Sequence, residues 1–212
     1  MKSFFTKAAL GALACSAADA AKTADECKAL ILSGGGSNGA WEAGVFWGFL
    51  NYGNPEDFKY DVLSGISAGS INAIALAAWE IGKEAEAAQW LSDLWNNLHN
   101  SDVWKKWPLE IVFGLFMEGG LLDNSPLLAF LKKVMADQGS EIQRRISIGT
   151  VNVEDGQFTV LDQKNIQYSD LAEAAVSSAS IPGVFPPHYW EGKGRFMDGG
   201  TVYNLNIDSA IE

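Results

Sequence analysis

Three short stretches of the 212-residue chain hold residue types that do chemistry together: Gly34-Gly35-Gly36-Ser37-Asn38-Gly39, Gly65-Ile66-Ser67-Ala68-Gly69 and Asp198-Gly199-Gly200. A serine with glycine two residues to either side, between an apolar strand and an apolar helix, sits on a turn tight enough to lift its hydroxyl clear of a sheet. That is the setting of a nucleophile. The helix that follows aims its N-terminal N–H groups at negative charge forming on a reacting oxygen. Ser67 is therefore the candidate nucleophile, and the bland alternative is that it only caps that helix. The first glycine run also lies between strand and helix, where unblocked N–H groups suit an anion. It satisfies G-x-G-x-x-G at Gly34, Gly36 and Gly39, a dinucleotide fingerprint. The acidic residue that such a site needs at the end of the second strand is missing, because Glu56 and Asp57 precede that strand and it ends in Leu63-Ser64-Gly65. A phosphate loop fails because no Gly-Lys-Ser/Thr follows. Emerging at the same sheet edge as Ser67, the run instead suits an oxyanion hole, with Gly35 and Gly36 as the principal donors.

A serine nucleophile needs a base. The order Ser, Asp/Glu, His of ordinary α/β hydrolases can be met only by His188, since His99 lies in a helical, aromatic segment. His188 follows Pro186-Pro187 in an aromatic turn, where a packed loop imidazole is an equally good reading. The second candidate is Asp198, at the end of a late strand and followed by two glycines that let the backbone approach a pocket closely. A carboxylate hydrogen-bonded to Ser67 accepts its proton directly if its surroundings raise its basicity.

The elements that must position these residues read as strand 28–33, helix 40–51, strand 60–64 and helix 70–81. Two strand–helix alternations within about fifty residues imply parallel strands with crossover helices, an α/β parallel-sheet sandwich with helices on both faces and its sites at the carboxyl ends of the strands. Residues 84–137 read as helical and contain Trp90, Trp95, Trp104, Trp107, Phe113 and Phe116, which form either ordinary core or a membrane-facing cover. Ser125 and Pro126 mark a helix start as N-cap and first helical residue. Two strand-like runs, 144–153 and 157–162, meet in a hairpin at Glu154-Asp155-Gly156. An alanine-rich helix, 170–179, and a last strand ending at Asp198 complete the chain.

Composition narrows the partners. The chain carries 15 basic and 26 acidic side chains, a net of -11, with 48% hydrophobic residues, enough for one packed domain. Lys2 and Lys7, the apolar run to Ala17 and the small-x-small site Ala18-Asp19-Ala20 read as a secretory signal peptide over residues 1–20, which makes the mature chain a secreted or lumenal protein. Its removal takes away Lys2, Lys7 and Asp19 and leaves 13 basic and 25 acidic side chains, a net of -12. Nucleic acid is an unsuitable partner for such a chain, and any membrane contact is peripheral and made by apolar surface rather than by charge. Cys27 alone would survive cleavage, so no internal disulfide is expected, and His99, His188 and Cys27 lack metal-ligand spacing.

The glycine run, G-x-S-x-G and D-G-G in this order, with Ser177 to Pro187 (SSASIPGVFPP) shortly before the last, resemble the patatin-like phospholipases. The resemblance runs from about Leu30 to Asn204. It implies a Ser67–Asp198 dyad without a catalytic histidine, an oxyanion hole in Gly34–Gly39, and supporting roles for Gly65, Gly69, Gly199 and Gly200. It further implies hydrolysis of lipid acyl esters (phospholipid, galactolipid or acylglycerol) with neither calcium nor cofactor. The alternatives are a silent lipid-binding or storage protein of the same fold, or an ordinary Ser-His-Asp esterase. Two residues depart from the family pattern. Asn38 stands where a basic residue is usual, and Asn204-Leu205-Asn206 lacks the proline of the usual Asn-x-Pro. Because some family members continue further, the 28–212 domain is expected to be truncated at its C-terminal end.

Overall fold

A computed structural model describes residues 27–108 and 114–211; the leader-like residues 1–20 and Phe113 lie outside them. Strand β1 (Ala29–Leu32) leads through the glycine run into helix α1 (Gly39–Tyr52), and β2 (Val62–Ile66) leads through Ser67 into α2 (Ala68–Ala77). Helices α3 (Glu84–Asn97), α4 (Asn100–Val103) and α5 (Ser125–Gln138) follow, then β3 (Arg145–Asn152), β4 (Phe158–Asp162), α6 (Leu171–Ala179), β5 (His188–Trp190), β6 (Gly194–Asp198) and α7 (Asp208–Ile211).

The sheet is mixed rather than all parallel. β1, β2 and β3 run parallel, as the strand–helix alternation requires, but β4 and β6 pair antiparallel with β3, and β5 pairs antiparallel with β6. A tight hairpin can join only antiparallel strands, and the Glu154–Gly156 turn forces this for β4. The strand β5 falls where an aromatic turn is expected, because three residues after two prolines give too short a period to read.

Leu63, Ile146 and Ile148 point to one face of the sheet, where α2 and α6 pack; Thr150 on that face donates to the carbonyl of Ser177. Ser64 and Ser147 point to the other face. There Ser147 meets Ser209 of α7 at 2.6 Å and Ser64 donates to the carbonyl of Asn206. Helix α2 is buried along nearly its whole length, which explains why its sequence is apolar on every side. It ends at Ala77, four residues sooner than its apolar composition predicts, as the chain turns through Trp79 to Gly82. No described helix is long and apolar enough to cross a membrane.

Two boundaries need correction. β2 occupies 62–66 instead of 60–64, so the strand runs to the residue before Ser67. The N-cap of α5 is Asn124, not Ser125; Ser125 is already helical, and its N–H is taken by the Asp123 carboxylate at 2.8 Å. Trp90 and Trp95 pack against the core, and Trp95 donates to Asn72 at 2.7 Å. Ordinary packing therefore accounts for these two, while Trp104 joins Trp95 in lining a cavity described below.

Candidate active site

β3 is the residue-by-residue reason that Ser67 and Asp198 meet. Gly149 pairs with both Ile66 and Val160, and the next residue, Thr150, pairs with both Thr159 and Asp198. A strand has two edges. Since β4 fills one edge at both Gly149 and Thr150, β2 and β6 must share the other, β2 leaving it where β6 takes over. The chain departs upward at Ser67 on one strand and at Gly199 on the other, and the two candidate side chains stand at one junction.

Ser67 has φ 51° and ψ −122°, and among the described residues it is the only non-glycine with positive φ. Such a backbone costs on the order of 1–3 kcal/mol and persists only where its surroundings hold it. They do so from both sides. The Ser67 N–H donates to Ser178 Oγ at 2.8 Å, and that hydroxyl donates to the Gly149 carbonyl at 2.6 Å, plugging the gap where β2 leaves β3. The Ser67 carbonyl accepts from the Ser70 N–H and hydroxyl at 2.9 and 2.6 Å. A Cβ on Gly69 would collide with the carbonyl of Leu32, and one on Gly65 with the Gly69 carbonyl, so β1, β2 and α2 approach this closely only with glycine at both places.

Asp198 is as buried as Ser67, each about 5% exposed. Its N–H donates to the Ser180 carbonyl at 2.9 Å, and its Oδ1 accepts from the Gly200 N–H at 2.7 Å. Burial raises its carboxyl above the ordinary aspartate range, and hydrogen bonds from the Ser67 hydroxyl and the Gly200 N–H oppose this in part. A Cβ on Gly199 would strike the Gly149 carbonyl, which keeps β6 tight against β3.

The N–H groups of the glycine run divide into spent and free. That of Gly34 donates to the Asn204 carbonyl at 3.1 Å, and that of Gly39 to carbonyls within the turn, so neither is open to a ligand. Gly35 and Gly36 are exposed, and among the described residues their N–H groups have no acceptor. The run is clamped by Asn204, whose Nδ2 also donates to the Gly34 carbonyl at 3.1 Å, while Asn206 is buried and bonds Ser147 at 3.0 Å. Behind the run, Glu42 accepts from the N–H and hydroxyl of Ser33 and from Asn72, which also binds the Gly39 carbonyl. This network fixes α1 to α2 and hence the glycine run to Ser67. Burial pushes the Glu42 carboxyl upward.

Two cavities meet at Ser67. A cavity of about 480 Å³ runs between Ser67, Ile71, Trp95, Leu127, Phe130 and Phe185 and is walled mostly by apolar side chains, with His99 and Asn100 also lining it. A second, of about 340 Å³ and more open, is lined by Gly34 to Gly36, Ser67, Asp198, Thr201 and Asn204. His188 lines neither. On β5, its Nε2 lies 2.5 Å from Glu173, which also binds Lys132 at 2.6 Å.

The sequence singles out Asn204 only as the asparagine of the altered Asn-x-Pro motif, and it marks neither Ser178 nor Thr150 as a site residue. Ser178 lies inside the SSAS stretch, the only signal available for it, and nothing in that stretch says what its hydroxyl touches. A buried serine thus stands beside a buried carboxyl at the strand ends of an α/β sandwich. The patatin-like phospholipase model matches residues 30–211, and the chain belongs to that family of lipid hydrolases. Among solved structures, VipD from Legionella pneumophila resembles it at 14% identity and a TM-score of 0.48, covering 85% of this chain. This chain spans 47% of the length of that one. No curated protein matched.

Proposed function

We propose that the protein hydrolyses acyl esters of lipids, with Ser67 as nucleophile and Asp198 as its base. The observation that carries the reading is the strained Ser67 beside a buried carboxyl, at the junction of an apolar cavity and an open polar cleft. The Ser67 hydroxyl oxygen attacks the ester carbonyl as its proton passes to Asp198, and the oxyanion forms against the N–H groups of Gly35 and Gly36. Collapse releases the alcohol, which takes the proton from Asp198 and leaves an acyl-serine. Water then attacks that ester and gives its proton to Asp198; the fatty acid departs and Ser67 recovers its hydrogen. The 480 Å³ cavity takes the acyl chain, and the open cleft takes the alcohol part. A fluorophosphonate ester should label Ser67 covalently; no labelling would favour the silent lipid-binding reading instead.

The direction of the Asp198 shift makes a second expectation. A base must be ionised, so kcat/KM should fall on the acid side with an apparent pKa above the ordinary aspartate range. An acid limb at or below that range, in a pH–rate profile on a neutral soluble ester, would remove Asp198 from the role.

Asn204 supports the same reading as a positioning residue. Asn204→Ala frees the Gly34 carbonyl, lets the glycine run move, and should lower kcat by up to about 10²-fold with little change in KM. A KM change at constant kcat would place Asn204 in binding. Export is proposed from residues 1–20 alone; sequencing the N-terminus of exported protein should begin at Ala21, and a retained Met1 would contradict it.

A further inference from the structure

The walls around Ser67 carry a one-sided charge. A third cavity, of about 370 Å³, lies behind the glycine run and is lined by Ser33, Asn38, Trp41 and Glu42, with Gly34 and Gly35 shared with the open cleft. None of the three cavities is lined by a lysine or arginine, while Asp198 and Glu42 bring two carboxyl groups to them. Lys105, beside the lining residue Trp104, pairs with Asp123 at 3.2 Å, and the exposed Lys106 and Lys133 line none of the three cavities. Farther out, Lys132, Arg144 and Lys193 are likewise tied to carboxylates. The chain as a whole carries a net charge of -11.

A phosphodiester head brings a negative charge that must be met by charge-assisted donors, for which arginine and lysine are the fitting side chains. Here it would enter a cleft lined by the Asp198 carboxyl and by no lysine or arginine, inside a protein field of the same sign. What the cleft does offer is neutral polarity: the Asn204 side-chain amide, part of which is used on the Gly34 carbonyl, the Thr201 hydroxyl oxygen as an acceptor, its hydrogen being donated to the Asp198 carbonyl, and the N–H groups of Gly35 and Gly36. These are partners for hydroxyl groups. We propose that the preferred substrates are esters with an uncharged, hydroxyl-bearing head, acylglycerols and glycosyl acylglycerols, and that phosphate-bearing lipids are turned over poorly. This rests on the hydrolase reading above and adds the head-group class to it.

The test compares diacylglycerol, galactosyl diacylglycerol and phosphatidylglycerol with the same acyl chains, each at the same mole fraction in neutral-detergent micelles. A like-charge clash at a site worth even 1.4 kcal/mol is a tenfold difference, so kcat/KM for both neutral lipids should exceed that for phosphatidylglycerol by about tenfold or more. Phosphatidylglycerol turned over as fast as diacylglycerol would overturn the proposal, as would cleavage of none of the neutral lipids. Asn38→Arg places a cation beside Gly35, whose Cβ direction points at the Asn38 side chain, and should narrow the ratio severalfold; an unmoved ratio would count against a charge origin. p-Nitrophenyl butyrate separates the two levels. If it is cleaved with dependence on Ser67 while the lipid order is reversed, the head-group inference alone fails. If no ester is cleaved in a Ser67-dependent way, the hydrolase reading itself fails.

Discussion

Asp198→Asn should leave a folded protein that is nearly inactive on a soluble p-nitrophenyl ester, as should Ser67→Ala, whereas His188→Ala should keep most of the activity. The asparagine side chain is nearly isosteric and can still accept from the Gly200 N–H, so the end of β6 stays in place. What disappears is the acceptor for the serine proton. Losing a base or nucleophile lowers kcat by about 10²–10⁴-fold or more, far beyond the few-fold effect of a packing defect. His188 is engaged by Glu173 and lines neither cavity at Ser67, so its removal disturbs an ion-pair cluster on β5 and not the reacting atoms. A folded but inactive His188→Ala beside an active Asp198→Asn would return the protein to the Ser-His-Asp group.

The same aspartate variant carries a stability signature. The folded-state pKa of Asp198 lies above its unfolded value, so the folded chain holds that proton more tightly. Its favourable contribution is present below the ordinary aspartate pKa and is lost as pH rises through the raised value. At pH 7 the ionised side chain therefore opposes folding, and Asp198→Asn should melt at the same temperature or higher. Function and stability pull apart at such a residue. A lower melting temperature at pH 7 would mean that the carboxylate has a structural role beyond the hydrogen bonds described.

The largest expected loss of stability lies elsewhere. Arg144 and Glu84 form a buried pair at 2.7 Å, with side chains 2% and 3% exposed. The guanidinium also donates to the carbonyls of Trp79, Tyr60 and Glu80 at 2.7, 3.1 and 2.7 Å, and Glu84 accepts from the Gly82 N–H at 2.8 Å. One side chain thus ties the chain after α2, the approach to β2 and the start of α3 to the residue before β3. Arg144→Met strands a buried carboxylate and three carbonyls, and should cost about 3–5 kcal/mol. Arg144→Lys should recover little, because an ammonium cannot reproduce the planar fork. Combining Arg144→Met with Glu84→Leu should restore part of the loss, since the uncompensated charge is gone. Urea unfolding followed by circular dichroism reads all three; a loss under about 1 kcal/mol for Arg144→Met would show that water reaches the pair.

Short-range spacing is enough to place the local parts of this protein. Apolar runs ending in glycine turns identified β1, β2 and the helices after them, because a tight strand-to-helix turn restricts residue types within five positions. The Glu154–Gly156 signal identified the antiparallel hairpin for the same local reason, and the D-G-G break marked the end of the last strand. Tertiary structure decided what those parts do for one another. That Ser67 and Asp198 stand at one junction follows from β2 and β6 sharing an edge of β3, a pairing between residues 149–150 and positions far away on both sides. That the Gly34 amide is spent depends on the Asn204 carbonyl, 170 residues later. Ser178 and Arg144 are ordinary residues in their own segments and acquire their roles only from carbonyls, amides and a carboxylate that folding brings to them. Local chemistry is written in short spacings; partnership across a sheet depends on register and topology, which no short window of sequence contains.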